Sequence, residues 1–253
     1  MKKSKTSTKD SVIVQDTPEI VESTATPAPL ELNGNRFDYF TTSVYKIEIP
    51  SLLTDARKCS NRALTKFKKE NPKMDPIFPL YQTHDISNDP DIAVLAQYIA
   101  DISYDTLQGQ GYDMRNKRVY FSSMWVQEHF QHSAHEEHIH GQGAQIVGFY
   151  FLDVPKDSSR LVFHDPRPSK KQVNLPEANI TNATYASDAV NFVPNPGDLF
   201  IINAWTPHSI GRNHSKSPVR LIHFTLNVDE MINPTSPTSG SINIDVGDQP
   251  EII

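Results

Sequence analysis

Five of the ten histidines in this chain fall within His129 to His140, in the run HFQHSAHEEHIH, and Gly141-Gln142-Gly143 follows at once. Neutral imidazole is the commonest protein ligand for transition metals, so a cluster this dense points to a metal site. Its spacing also constrains the backbone. On an extended strand, residues i and i+2 share a face while i and i+3 do not. His138 and His140 can then close on one ion, with Ile139 directed into the opposite layer. His135 and His138 cannot share a face unless the chain bends between them. A second pair, His135 and Glu137, offers an imidazole and a carboxylate at the same spacing. Two interleaved ligand pairs are therefore available, and spacing does not choose between them.

The rest of the chain excludes several partners. It has 253 residues, enough for one good core or two small ones. A net charge of −6 and a pI near 5.9 give no general attraction for nucleic acid or an anionic membrane. The single cysteine, Cys59, excludes an internal disulfide and a thiolate cage, and it suits a reducing, cytoplasmic setting. No apolar run approaches the roughly 20 residues that span a bilayer. The N-terminus is basic but lacks the apolar stretch of a secretory signal. The sequons at Asn179, Asn182 and Asn213 are expected to be chance matches.

Residues 1–35 are rich in Ser, Thr, Pro, Lys and Glu without sustained periodicity, and they predict a disordered extension. A compact domain is expected over 36–228, with a flexible Ser/Thr/Pro-rich tail over 229–253. Within the domain, Val44 to Ile49 alternates with period two and predicts a strand. Leu52 to Glu70 predicts a helix capped by Thr54 or Asp55, its basic residues forming a solvated face. A second helix is expected over Ile92–Leu107, opened by Asp89-Pro90-Asp91 and ended by Gly109 and Gly111. Strands are expected over Val119–Phe130, Ile146–Val154, Arg160–His164, Ala189–Val193, Leu199–Ile202 and Val219–Val228. Ile146–Val154 is unbroken and apolar, as in a strand buried on both faces. Asn195-Pro196-Gly197-Asp198 predicts a type II turn. The order predicts a mainly β fold with supporting N-terminal helices, a jelly roll or double-stranded β-helix.

Two side chains hold a metal poorly, and the best third ligand is His208, just past a strand end in Asn203-Ala204-Trp205-Thr206-Pro207-His208. His84, His164, His214 and His223 are read as surface or packing residues. Arg220 lies among apolar residues on an interior strand. A buried arginine must be paired, and its fork matches a carboxylate, whether internal or on a ligand.

In order, His138-x-His140, Gly148-Phe149-Tyr150-Phe151-Leu152, Pro196-Gly197-Asp198-Leu199-Phe200, Trp205-x-Pro207-His208 and Arg220 resemble the iron(II)/2-oxoglutarate oxygenases. The group frequent in phage genomes is nearest, with Asp165-Pro166-Arg167 as a further match, and there is a distant similarity to aspartyl/asparaginyl β-hydroxylases. The resemblance covers roughly residues 37–228. It implies that His138 and His208 bind iron(II) and that Arg220 holds the distal carboxylate of 2-oxoglutarate. His140 stands where this superfamily usually has Asp or Glu, which departs from the two-histidine, one-carboxylate triad. The open alternatives are a three-histidine site, Glu137 or Glu136 bending in, or a water. The resemblance implies decarboxylation of 2-oxoglutarate to succinate and carbon dioxide, coupled to hydroxylation of a C–H bond in a small molecule or a protein residue.

A cupin is the main alternative. It shares the jelly roll and uses His-x-His with a later Glu, near which Gln145 stands, and a distant His. A cupin explains three histidines but not Arg220. A non-catalytic interaction protein leaves the cluster unexplained. His135-Glu136-Glu137-His138 is one residue short of the His-Glu-x-x-His of a helical zinc protease.

Overall fold

The computed structural model describes residue 35 and residues 37–231, apart from 142, 173 and 174. The expected N-terminal extension and C-terminal tail lie almost entirely outside the described residues. Two units divide the chain, Met1–Phe40 and Thr41–Ile253. Only residues 35 and 37–40 of the first are described, and everything below concerns the second.

In chain order, the second unit contains β1 (Val44–Glu48), α1 (Leu53–Glu70), β2 (Leu80–Gln82), α2 (Ala93–Gly109), β3 (Lys117–His129) and β4 (His135–His138). There follow β5 (Ala144–Asp153), β6 (Leu161–His164), β7 (Ala189–Phe192), β8 (Asp198–Asn203), β9 (His208–Ile210) and β10 (Val219–Glu230). A six-stranded sheet runs β1-β8-β5-β10-β3-β2, and a four-stranded sheet runs β4-β9-β6-β7. The pairings are antiparallel throughout. The predicted strands and helices are present. The short β2, β4 and β9 were not anticipated as separate elements.

β5 sits between β8 and β10, which explains its unbroken apolar run: both faces are covered. One face sends Ile146, Tyr150 and Leu152 to the helices, where they meet Cys59, Leu64, Leu95 and Ile99. The other sends Val147, Phe149 and Phe151 toward Leu161, Phe163 and Ile210 of the smaller sheet. Two apolar layers thus lie on opposite sides of one sheet.

Neither Thr54 nor Asp55 caps α1. A 3-10 turn over Pro50–Leu52 leads straight into the helix, and the Leu53 N–H donates to the Pro50 carbonyl. The basic face of α1 is paired rather than merely solvated. Arg57 meets Asp153, Lys58 meets Asp91, Arg62 meets Asp89 and Asp91, and Lys68 meets Glu128. Asp89 caps the 3-10 turn before α2 by accepting from the Asp91 N–H. In the turn before β8, Gly197 has φ +92°, as position three of a type II turn requires.

Gly148 is required for packing rather than for conformation. A Cβ there would lie 2.5 Å from the Phe200 carbonyl oxygen of the paired strand β8 and would overlap the Phe224 ring. The carbonyl cannot retreat without opening the ladder. Gly148→Ala is expected to destabilise the fold by about 1–3 kcal/mol or more, the usual range for overpacking. A thermal unfolding midpoint lowered by several degrees checks this, and an unchanged midpoint would contradict the close approach.

Candidate metal centre

The histidine run begins in one sheet and ends in the other. β3 stops at His129, and the chain turns through residues 130–133, with His132 at φ +71°. Asn213, fully buried, holds this turn. Its side-chain amide donates to the His129 carbonyl at 3.0 Å, and its own carbonyl accepts from the His132 N–H at 2.7 Å. That burial also removes Asn213 as a glycosylation acceptor. β4 then joins the smaller sheet.

There β4 pairs with β9 so that His138 stands opposite His208 and His135 opposite Ile210. Three steps along β4 match two along β9, so one residue bulges. The bulge breaks strict alternation, and His135 stacks on His138 with ring centroids 4.4 Å apart. This is the bend that the sequence reading required for those two to meet. Glu137 goes elsewhere, its carboxylate 3.5 Å from His164 Nδ1, while His164 Nε2 hydrogen-bonds with Ser209. β4 ends at His138, so His140 is not on a strand as expected. It is positioned by its N–H, which donates to the Ala204 carbonyl at 3.0 Å.

Among the described residues, His138, His140 and His208 form a group whose ligand atoms all lie within 4.8 Å of one another. His138 Nδ1 is 2.8 Å from the Glu136 carbonyl, and His208 Nδ1 is 2.9 Å from the Thr206 carbonyl. A carbonyl only accepts, so each Nδ1 carries the proton and each Nε2 is left bare. The Nε2 atoms of His140 and His208 are buried without a hydrogen-bond partner among the described residues. Bare, converging imidazole nitrogens, two of them buried, are the donor set a divalent transition metal takes.

Burial controls their charge. Desolvation pushes the pKa of His208 down to about 3 and that of His140 down to about 4, with neighbouring imidazoles adding to it. His129 falls to about 3 and His135 to about 4 for the same reasons. His129 is not a ligand candidate, because Ser133 and Gln127 occupy both of its ring nitrogens.

Arg220 departs from expectation. Its Nε donates to Glu128 Oε1 at 2.8 Å, a second nitrogen lies 2.7 Å from the same oxygen, and Asn61 and Asp153 lie near the third. Glu128 is 1% exposed and also faces Lys68. The physical cause is strand parity. On β10, Ile222, Phe224 and Leu226 pack on the helix side, and Arg220 shares their side. Val219 and Leu221 face the smaller sheet instead. Arg220 therefore points away from the histidines and is paired internally.

The residue that sequence reasoning missed is His223. It is 1% exposed, and its ring lies 5.2 Å from His140, 6.3 Å from His208 and 4.6 Å from Phe149. Burial drives its pKa well below the usual histidine range.

Residues 123–224 match the family model described as "Putative 2OG-Fe(II) oxygenase". Among solved structures, AviO1 from Streptomyces viridochromogenes is similar at 16% identity over 79% of this chain and 93% of that one, with a TM-score of 0.53. An oxidoreductase of the 2OG-Fe(II) oxygenase family from Burkholderia pseudomallei aligns at 10% identity over 73% and 84%, TM-score 0.49. A prolyl-4-hydroxylase from Pseudomonas putida aligns at 10% over 74% and 93%, also at 0.49. No curated protein matches the chain. The likeness to AviO1 supports the fold, a double-stranded β-helix with N-terminal helices, and the family match carries the oxygenase resemblance.

These buried and half-buried neutral histidines make stability depend on pH. Unfolded, they bind protons below about 6.5, whereas folded they resist down to about 3–4. Their contribution is complete above pH 6.5 and is lost as pH falls toward the folded values. Each group that charges on unfolding adds a slope of about 1.4 kcal/mol per pH unit. Urea midpoints of metal-free protein are expected to drop steadily from pH 6.5 to 5. A flat profile would mean the cluster takes protons while folded.

Proposed function

We infer that this protein is a 2OG-Fe(II) oxygenase, a reading supported by the family match over residues 123–224, and that it holds iron(II) with His138, His140 and His208. On this reading it couples oxidation of 2-oxoglutarate to hydroxylation of a C–H bond. The carrying observation is the convergence of three imidazoles within 4.8 Å, with the Nδ1 atoms of His138 and His208 engaged by carbonyls. When bound, iron(II) supplies the redox chemistry by which 2-oxoglutarate and dioxygen give succinate and carbon dioxide, the second oxygen atom passing to the substrate.

The chain's own contribution is orientation and exclusion of water. The Glu136 and Thr206 carbonyls fix two ring orientations, which is the usual work of outer partners at metal sites. Phe149, 5.3 Å from the His208 ring, walls the centre on the side of the larger sheet. Three neutral imidazoles leave the divalent charge uncompensated, where a carboxylate ligand would cancel half of it. Such a centre favours an anionic chelating cosubstrate.

Arg220 is not part of this reading, because its pairing with Glu128 occupies the fork. It therefore no longer separates an oxygenase from a cupin, and the family match favours the oxygenase. The substrate is a small molecule or a protein residue in a cytoplasmic setting, a reading supported by the acidic balance and the single thiol. Among the described residues, no helix is long and apolar enough to cross a membrane.

His208→Ala and His140→Ala are each expected to weaken iron(II) or cobalt(II) binding by roughly 100-fold or more, beyond what loss of an outer partner does. Glu137→Ala is expected to retain it. Calorimetric titration under anaerobic conditions checks this. Retention in His140→Ala with loss in Glu137→Ala would transfer the site to His135, Glu137 and His208. Iron-loaded wild-type protein is expected to release succinate from 2-oxoglutarate slowly without added substrate, and its absence would count against the oxygenase reading.

A further inference from the structure

β10 sends Arg220 to the helices, so the question is which groups it sends to the histidines. Its pairing with β3 sets Leu221 opposite Gln127 and His223 opposite Trp125. Those residues share the face that looks toward the smaller sheet. Gln127 is hydrogen-bonded to His129. His223 and Trp125 are different. Neither ring nitrogen of His223, nor Trp125 Nε1, has a hydrogen-bond partner among the described residues, although all three atoms are buried.

The two rings touch, with centroids 4.4 Å apart, and His223 lies 5.2 Å from His140. An imidazole with both nitrogens unbonded at 1% exposure is a costly thing to keep. A leucine would fill the same wall without that penalty. Whichever tautomer it takes, neutral His223 presents one N–H, and Trp125 presents another. Two N–H donors are therefore carried on rings 4.4 Å apart, one of them beside His140, and nothing among the described residues accepts from them. Two adjacent donors suit an acceptor with two oxygens.

We propose that His223 and Trp125 bind a carboxylate of the cosubstrate, each donating one N–H to it, in place of an arginine fork. This rests on reading the three-histidine centre as an iron site that takes 2-oxoglutarate. The two observations fit together electrostatically. The wall offers hydrogen bonds without charge, and the metal held by three neutral imidazoles offers charge without a compensating carboxylate.

Anaerobic titrations of cobalt(II) and then of 2-oxoglutarate into the full chain test the proposal. His223→Leu is expected to weaken 2-oxoglutarate at least tenfold and to leave the cobalt(II) dissociation constant within about twofold. Trp125→Phe is expected to weaken it severalfold, and His223→Asn, which keeps an N–H, to recover part of the loss. Metal-free His223→Leu is expected to melt no lower than wild type, since it removes an unsatisfied buried group, whereas a purely structural histidine would lower the midpoint. Arg220→Met, checked for folding by circular dichroism, is expected to bind 2-oxoglutarate as wild type does. Unchanged 2-oxoglutarate binding in both His223→Leu and Trp125→Phe overturns the proposal. So does loss of cobalt(II) binding in His223→Leu, which would make His223 a metal ligand. Wild-type protein that binds cobalt(II) but not 2-oxoglutarate overturns the oxygenase reading itself, and the proposal with it.

Discussion

The antiparallel pairing of β4 with β9 brings together two histidines from distant parts of the chain, and the rest of the centre depends on it. Strands of three and four residues do not pair stably alone. Their pairing survives because Leu161, Phe163 and Ile210 of the smaller sheet pack on Phe149 and Phe200 of the larger one. Asn213 fixes the turn that delivers the chain into β4. The geometry of the histidine group is thus inherited from the apolar layer and one buried amide. Once His138 faces His208, the hydrogen bond from His140 to the Ala204 carbonyl places the third imidazole, its ring nearly parallel to that of His208.

Parity decides which groups on β10 can take part. The strand is apolar on both faces, since one meets the helices and the other the smaller sheet. Its sequence therefore carries no amphipathic signal from which to read direction. Arg220 and His223 differ by an odd number of residues, so one of them had to face away from the histidine cluster. The structure sends Arg220 to Glu128, where Lys68 and Asp153 complete a charged cluster between α1 and the larger sheet. A carboxylate at 1% exposure needs such partners. Removing Arg220 would leave Glu128 with less compensation, which is a structural role sufficient to account for it.

This is also why the sequence was legible in some places and opaque in others. The long strands, both helices and the turn at Gly197 follow from periodicity and local chemistry, and they appeared within a few residues of expectation. His138, His140 and His208 were legible because their spacing and order are distinctive. β2, β4 and β9 are too short to show a period. The bulge that lets His135 stack on His138 leaves no residue signature at all. His223 was passed over because a single histidine among apolar residues reads as packing. Only its strand partner, Trp125, and its two unbonded nitrogens separate it from that role.

The absence of a carboxylate from the group formed by His138, His140 and His208 changes the demands on everything around it. With two histidines and a carboxylate, a divalent ion carries a net charge of one, and a cationic side chain nearby is a useful second anchor for a dianionic cosubstrate. With three neutral imidazoles the ion keeps both charges. An arginine a few ångströms away would then be repelled by the metal, in a setting where the effective dielectric is low enough for that repulsion to matter. With Arg220 paired to Glu128, and the neutral His223 and Trp125 on the opposite face of the strand pair, that conflict does not arise. On this argument His140 and the outward arginine belong to one electrostatic arrangement, in which the ligand set determines what the neighbouring strand can present.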